Sequence, residues 1–167
     1  MSRPLRILLV NKAYPPHIGG IETLVRQYAR YFQTQFSAEV QVLVCQEKGK
    51  TARETIEGVP VLRAGSIGTY FSCPLSGSFL RYFRKYAKQA DVVMMHMPFP
   101  LADLACLLSG YRGRVVLAWH SDVIKQKTLL RFYAPLLRWL LRRADCILTA
   151  TQGHIDSSAS VSYTHLR

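Results

Sequence analysis

Two adjacent glycines, Gly19 and Gly20, sit in the stretch NKAYPPHIGGIETL, after a short apolar run and a proline-stiffened loop and just before a helical pattern. A residue without Cβ lets backbone come close to a ligand, and the amides that open a helix are donors at the positive end of its dipole. A phosphate or sugar diphosphate suits that chemistry. A tight turn with no ligand is the plain alternative. Two histidines, His96 and His120, fall at the ends of apolar runs that read as strands, DVVMMHM and RVVLAWH. Imidazole at a strand end can position a substrate or stabilise developing charge, and a satisfied structural histidine is the competing reading for each. A nicotinamide site would carry GxGxxG directly after the first strand and an acid ending the second. Of these only the acid, Glu47, is present, and the loop from Asn11 to Gly20 is longer than a dinucleotide loop and stiffened by Pro15 and Pro16.

The hydrophobic pattern predicts the elements that hold these residues. LRILLV (5–10) is continuous and apolar, the signature of a strand buried on both faces and central in a sheet. From Ile21 the positions Leu24, Val25, Tyr28, Ala29 and Phe32 form one helical stripe. EVQVLVC (39–45) is a second strand, and VPVLRAG (59–65), after the turn residues Glu57 and Gly58, a short third one. Residues 65–78 are rich in Gly and Ser and read as a loop, with Ser76 or Ser78 capping a helix that runs to about Gln89. DVVMMHM (91–97), a short helix ending near Gly110, RVVLAWH (114–120), a polar loop, a helix kinked or restarted around Pro135, and CILTA (146–150) complete the series. Alternating strands and helices with through-apolar strands predict an α/β chain: a Rossmann-like parallel sheet with helices on both faces. Ligands bind such sheets at the carboxyl ends of the strands, where Gly19, His96 and His120 all fall.

At 167 residues the chain has room for one ordinary domain, and 49% hydrophobic with 19% charged residues excludes both disorder and a multi-span membrane protein. The outlier is charge: 22 Lys and Arg against 10 Asp and Glu give +12, which predicts an anionic partner. No stretch reaches the roughly 20 apolar residues of a membrane-spanning helix, and the start has no signal-peptide core, so the expectation is a cytoplasmic protein. Cys45, Cys73, Cys106 and Cys146 lack metal-ligand spacing and read as reduced, mostly buried thiols.

Three blocks in order, YPPHIGGIETLVRQYARYF, DVVMMHMPFPLADL and VVLAWHSDVIKQKTLLRFYAPLLRWLLRRADCILTAT, resemble the N-terminal domain of family 4 glycosyltransferases over about residues 4–156. The resemblance implies one half of a two-domain fold, the acceptor-side domain at 1–156, in a retaining enzyme that takes a nucleotide-sugar and uses no metal or other cofactor. Gly19 and Gly20 match the family's glycine loop, implied to contact the donor diphosphate and sugar, with Glu22 following. His96 and Pro98 match its His-x-Pro, implied to lie on the acceptor side, where Lys125 of the polar loop is also placed. His120 matches its strand-end histidine, implied to contact the transferred sugar and acceptor, with Asp122 beside it as a second catalytic candidate. The family's C-terminal domain, which holds most of the donor nucleotide, is not in the sequence. Residues 157–167 depart from the pattern, and VSYTHLR resembles translated adaptor sequence. The expectation is a truncated half, inactive alone, with a disordered or foreign tail.

FLRYFRKYAKQ (79–89) and LLRWLLRR interleave basic and aromatic residues. Each alone is an ordinary amphipathic helix; together with the global charge they predict peripheral docking on an anionic membrane surface, near a lipid-linked or cell-surface glycan acceptor. No nucleic-acid recognition motif is present, so nucleic acid is not an expected partner. Two other classes stay open: a non-catalytic module anchoring a partner subunit at the membrane, and an independent nucleotide-binding domain.

Overall fold

A computed structural model describes residues 3–70, 73–120 and 127–149, with side chains of the last segment from 133 onward. Asp122, Lys125 and the tail at 157–167 lie outside the described residues. In chain order the elements are β1 (Arg6–Val10), α1 (Gly20–Phe36), β2 (Glu39–Cys45), β3 (Ala52–Ile56), β4 (Val59–Ala64), β5 (Thr69–Tyr70), β6 (Cys73–Pro74), α2 (Gly77–Ala87), β7 (Val92–Met97), α3 (Pro100–Ser109), β8 (Arg114–Trp119), α4 (Lys127–Arg143) and β9 (Cys146–Thr149).

Seven strands form one sheet in the order β3-β4-β2-β1-β7-β8-β9, parallel except for β3. The run LRILLV predicted a central strand, and β1 occupies the middle of the sheet with four of its five residues buried. From β1 the chain steps one way to β2 and β4, and after α2 it returns to the other side of β1 and steps outward through β7, β8 and β9. Right-handed crossovers therefore place α1 on one face and α2, α3 and α4 on the other. Two cores follow. Ile7, Leu9, Val25, Ala29, Val42 and Val61 pack under α1, whereas Leu8, Leu43, Phe79, Phe83, Leu117 and Leu140 pack beneath the three-helix layer. Each fully buried phenylalanine contributes about 1.5–3 kcal/mol by its removal from water.

Two features, β3 and the β5–β6 pair, depart from the sequence reading. The strand ARETI is absent from it, because β3 is an exposed edge strand without an apolar alternation. It pairs antiparallel with β4 through Glu57 and Gly58, whose positive φ values of 52° and 80° give the two-residue turn that matches strand twist. Within the stretch 65–78, β5 and β6 form a small antiparallel pair, and Ser76 rather than Ser78 caps α2, accepting from the Phe79 amide at 3.0 Å. The helix α4 runs through the exposed Pro135, so of the two outcomes expected there no new helix begins. Of the cysteines, Cys45 and Cys106 are buried, Cys73 is partly covered and Cys146 is exposed.

Candidate active site at the carboxyl edge of the sheet

The glycine loop leaves the central strand and is tied down at every step. Asn11 is buried; its amide donates to Leu43 O at 3.2 Å and its side chain to Ala13 O at 2.8 Å. The Cys45 amide then donates to Lys12 O at 3.2 Å, and Tyr14 buries its ring in the core under α1. Arg63, reaching up from β4, donates from Nη1 to Tyr14 O at 3.1 Å and from Nη2 to Pro15 O, while its Nε donates to Glu54. A planar guanidinium suits two successive carbonyls better than an ammonium would. Nothing in the sequence marks Arg63, because its partners lie 48 and 49 residues away.

Gly19 is extended and caps α1 without a side chain, and its carbonyl accepts from both the amide (3.1 Å) and the hydroxyl (2.9 Å) of Thr23. A Cβ at Gly19 would overlap the carboxylate of Glu22, whereas a Cβ at Gly20 would meet open space. The group that approaches Gly19 is therefore the protein's own Glu22, whose carboxylate sits at the positive end of α1. His17 lies between acids, its Nδ1 3.7 Å from Glu22 and its Nε2 3.9 Å from Glu47.

His96 and His120 are brought together by strand register. His96 on β7 pairs with Ala118 on β8, and His120 lies two residues past Ala118 on the same face. The small Ala118 side chain leaves the diagonal open. His96 Nδ1 and His120 Nε2 are 3.0 Å apart, with ring planes within 9° and centroids 5.2 Å apart, so the imidazoles meet edge to edge. The His120 amide donates to Met97 O at 3.2 Å, which holds the end of β8 against β7. His96 is 2% exposed, with the Tyr28 ring of α1 5.9 Å away, and its Nε2 has no hydrogen-bond partner. Burial, and secondarily any charge on His120, pushes the His96 imidazole down to about 3. The buried His96 imidazole is therefore held neutral.

A second buried polar pair lies on the opposite face of the sheet, where α3 meets α4. The Tyr133 hydroxyl donates to Asp103 Oδ2, and Asp103, fully buried, has no partner for Oδ1. Burial raises the Asp103 carboxyl to about 7 against the opposing Tyr133 bond. The sequence reading passed over both residues. No group of three His, Cys, Asp or Glu among the described residues could hold a metal.

The structure thus joins His96 to His120 directly and places Gly19 and Gly20 after β1, the neighbour of β7, at the same edge. Solved structures share this fold. Sucrose-phosphate synthase from Thermosynechococcus elongatus superposes with a TM-score of 0.58 at 13% identity, over 86% of this chain and 41% of that one. The α,α-trehalose 6-phosphate synthase of Burkholderia multivorans gives 0.57 at 12% identity, over 97% and 42%. Two curated relatives are similar in sequence. O-antigen chain mannosyltransferase C of Escherichia coli is 29% identical over 94% of this chain and 42% of its own length. D-rhamnosyltransferase WbpZ of Pseudomonas aeruginosa is 31% identical over 92% and 40%. The chain spans about 40% of these relatives. The glycosyl transferase 4-like domain matches residues 19–158, from the glycine that Glu22 covers past both histidines, and the chain belongs to that family.

Proposed function

We propose that this chain is the acceptor-side half of a retaining glycosyltransferase that moves a sugar from a nucleotide-sugar to a lipid-linked or cell-surface glycan. The names of the relatives, a mannosyltransferase of O-antigen chains and a rhamnosyltransferase, support a mannose- or rhamnose-type sugar. The carrying observation is the edge-to-edge pair of His96 and His120 at the carboxyl edge of a sheet in this family. In transfer with retention the leaving group departs on the face that the acceptor attacks, so positioning and charge stabilisation are the larger tasks. His120, half-buried at the strand end, is the catalytic candidate that meets the sugar; Asp122 and Lys125 follow it in sequence as candidates beside the acceptor. His96, on the acceptor side, is buried behind His120. Gly20 leaves open space toward the donor, and a diphosphate closing on Gly19 displaces the Glu22 carboxylate. The donor nucleotide is held by a further domain, and the reaction proceeds without metal.

The test is sugar transfer by the full-length protein that carries this chain, from nucleotide-mannose and nucleotide-rhamnose donors. His120→Ala is expected to lower kcat by about a hundredfold or more, the loss typical of removing one charge-stabilising donor. An unchanged rate removes His120 from the site, and an inverted product anomer ends the retaining assignment.

A further inference from the structure

The outer surface of the three-helix layer is unlike an ordinary solvated face. α3 packs between α2 and α4, and its buried side is Ala102, Asp103, Ala105, Cys106 and Ser109. Its outward side is Leu104, Leu107 and Leu108, at i, i+3 and i+4, exposed by 37%, 42% and 59%. No polar side chain interrupts that stripe. On either side the neighbours are basic: Arg81, Arg84, Lys85 and Lys88 are exposed on and just after α2, and Arg138 and Arg142 on α4. The three helices contain one acid, Asp103, and it is buried. None of these six bases enters a salt bridge among the described residues, whereas Arg3, Arg26, Arg63 and Arg143 all do.

We propose that the α2–α3–α4 face docks on an anionic lipid bilayer, with the α3 leucines entering the interface and the flanking bases meeting lipid phosphates. Charge complementarity selects this occupant. An apolar centre with a basic rim and no acid matches a surface whose headgroups are negative and whose interior is hydrocarbon. A nucleic acid would face three leucines offering neither a donor nor a stacking ring at the centre of its footprint. A protein partner would need acids around an apolar ridge, a narrower requirement than any anionic membrane imposes. No described helix is long and apolar enough to cross a membrane. The docking is independent of the transfer chemistry proposed for His120.

The test is co-sedimentation of the chain with vesicles of phosphatidylcholine containing phosphatidylglycerol, against phosphatidylcholine alone. The expected result is binding to the anionic vesicles only, weakened about thirtyfold by Arg84→Gln with Lys88→Gln, given the usual contribution of each base near a charged surface. Leu107→Gln with Leu108→Gln is expected to weaken it by at least about tenfold, with only a small change in melting temperature because both side chains are already partly in water. Leu108→Trp keeps the face apolar and reports insertion: its emission should move to the blue and be quenched by brominated lipid. Equal binding to both vesicle types, wild-type binding by the leucine pair, or no spectral change at residue 108 overturns the proposal. Leucine-dependent dimers without vesicle binding would overturn it in favour of a contact between copies, and RNA binding without vesicle binding in favour of nucleic acid. Vesicle binding is read without donor or acceptor, so its failure leaves the assignment of His120 standing.

Discussion

His96 is bonded edge to edge to His120 at 3.0 Å, and the buried member of the pair is the one that stays neutral. The consequence for stability has a definite sign. An unfolded chain protonates this imidazole near its ordinary value of about 6.5, whereas the folded chain resists until about 3. Between those values the unfolded state binds more protons, so His96 contributes stability above pH 6.5 that is lost as pH falls, by about 1.4 kcal/mol per pH unit. Urea titrations of the wild type and His96→Asn from pH 7 to 4 should converge at the acid end. Parallel curves would mean that His96 takes up its proton normally.

Asp103 should tilt the same curve the other way. Its folded value of about 7 exceeds the ordinary carboxyl value, so its stabilising contribution is complete below about pH 4 and is lost as pH rises through 7. Asp103→Asn, which preserves an acceptor for Tyr133, should stabilise the fold increasingly between pH 4 and 7. Tyr133→Phe should instead cost about 1–3 kcal/mol by leaving a buried carboxyl without its bond. The readout is again urea unfolding, and a pH-independent Asp103→Asn effect would contradict the burial argument.

The two glycines should behave differently although they are adjacent. Gly19→Ala drives the Glu22 carboxylate out of its seat at the helix end, with an expected loss of about 0.3–1 kcal/mol from the dipole interaction alone. Gly20→Ala meets nothing and should be neutral or stabilising, by up to about 1 kcal/mol of helix propensity. Combining Gly19→Ala with Glu22→Ala should recover non-additivity in a double-mutant cycle, which additive melting shifts would refute.

Arg63→Met should loosen the glycine loop without disturbing β4, which pairs on both sides. Hydrogen exchange at residues 11–19 should accelerate, with a global loss of about 1–3 kcal/mol for two partly buried carbonyls left unpaired. Unchanged exchange would show that Tyr14 burial alone fixes the loop.

What the sequence disclosed was set by how local the cause is. β1, α1, β7 and β8 announce themselves because burial on one or both faces writes a run or a stripe into consecutive residues. β3 does not, since an edge strand held by its turn and its neighbour needs no apolar pattern. At the site, strand ends located Gly19, His96 and His120, but the identity of the group over Gly19 depends on a carboxylate turning back one helical turn. Arg63 and the pairing of Asp103 with Tyr133 rest on contacts 30 or more residues apart, which no window can display. The sequence marks α3 as a short helix but not which of its leucines face out; only the packing of α3 between its neighbours shows that.

The antiparallel strand β3 also bears on how copies of this chain behave when crowded. It closes one rim of the sheet with Arg53 and Glu54, each already engaged, Arg53 with Tyr82 at 3.2 Å and Glu54 with Arg63. A second sheet adding at that rim would have to strip water from both charges, so end-to-end fibre growth is discouraged there. The opposite rim, β9, presents exposed Cys146 and Leu148 and carries no charge of its own. Any tendency of concentrated chains to join through their strands should therefore be polar, starting from β9, and a charge placed at Leu148 should suppress it.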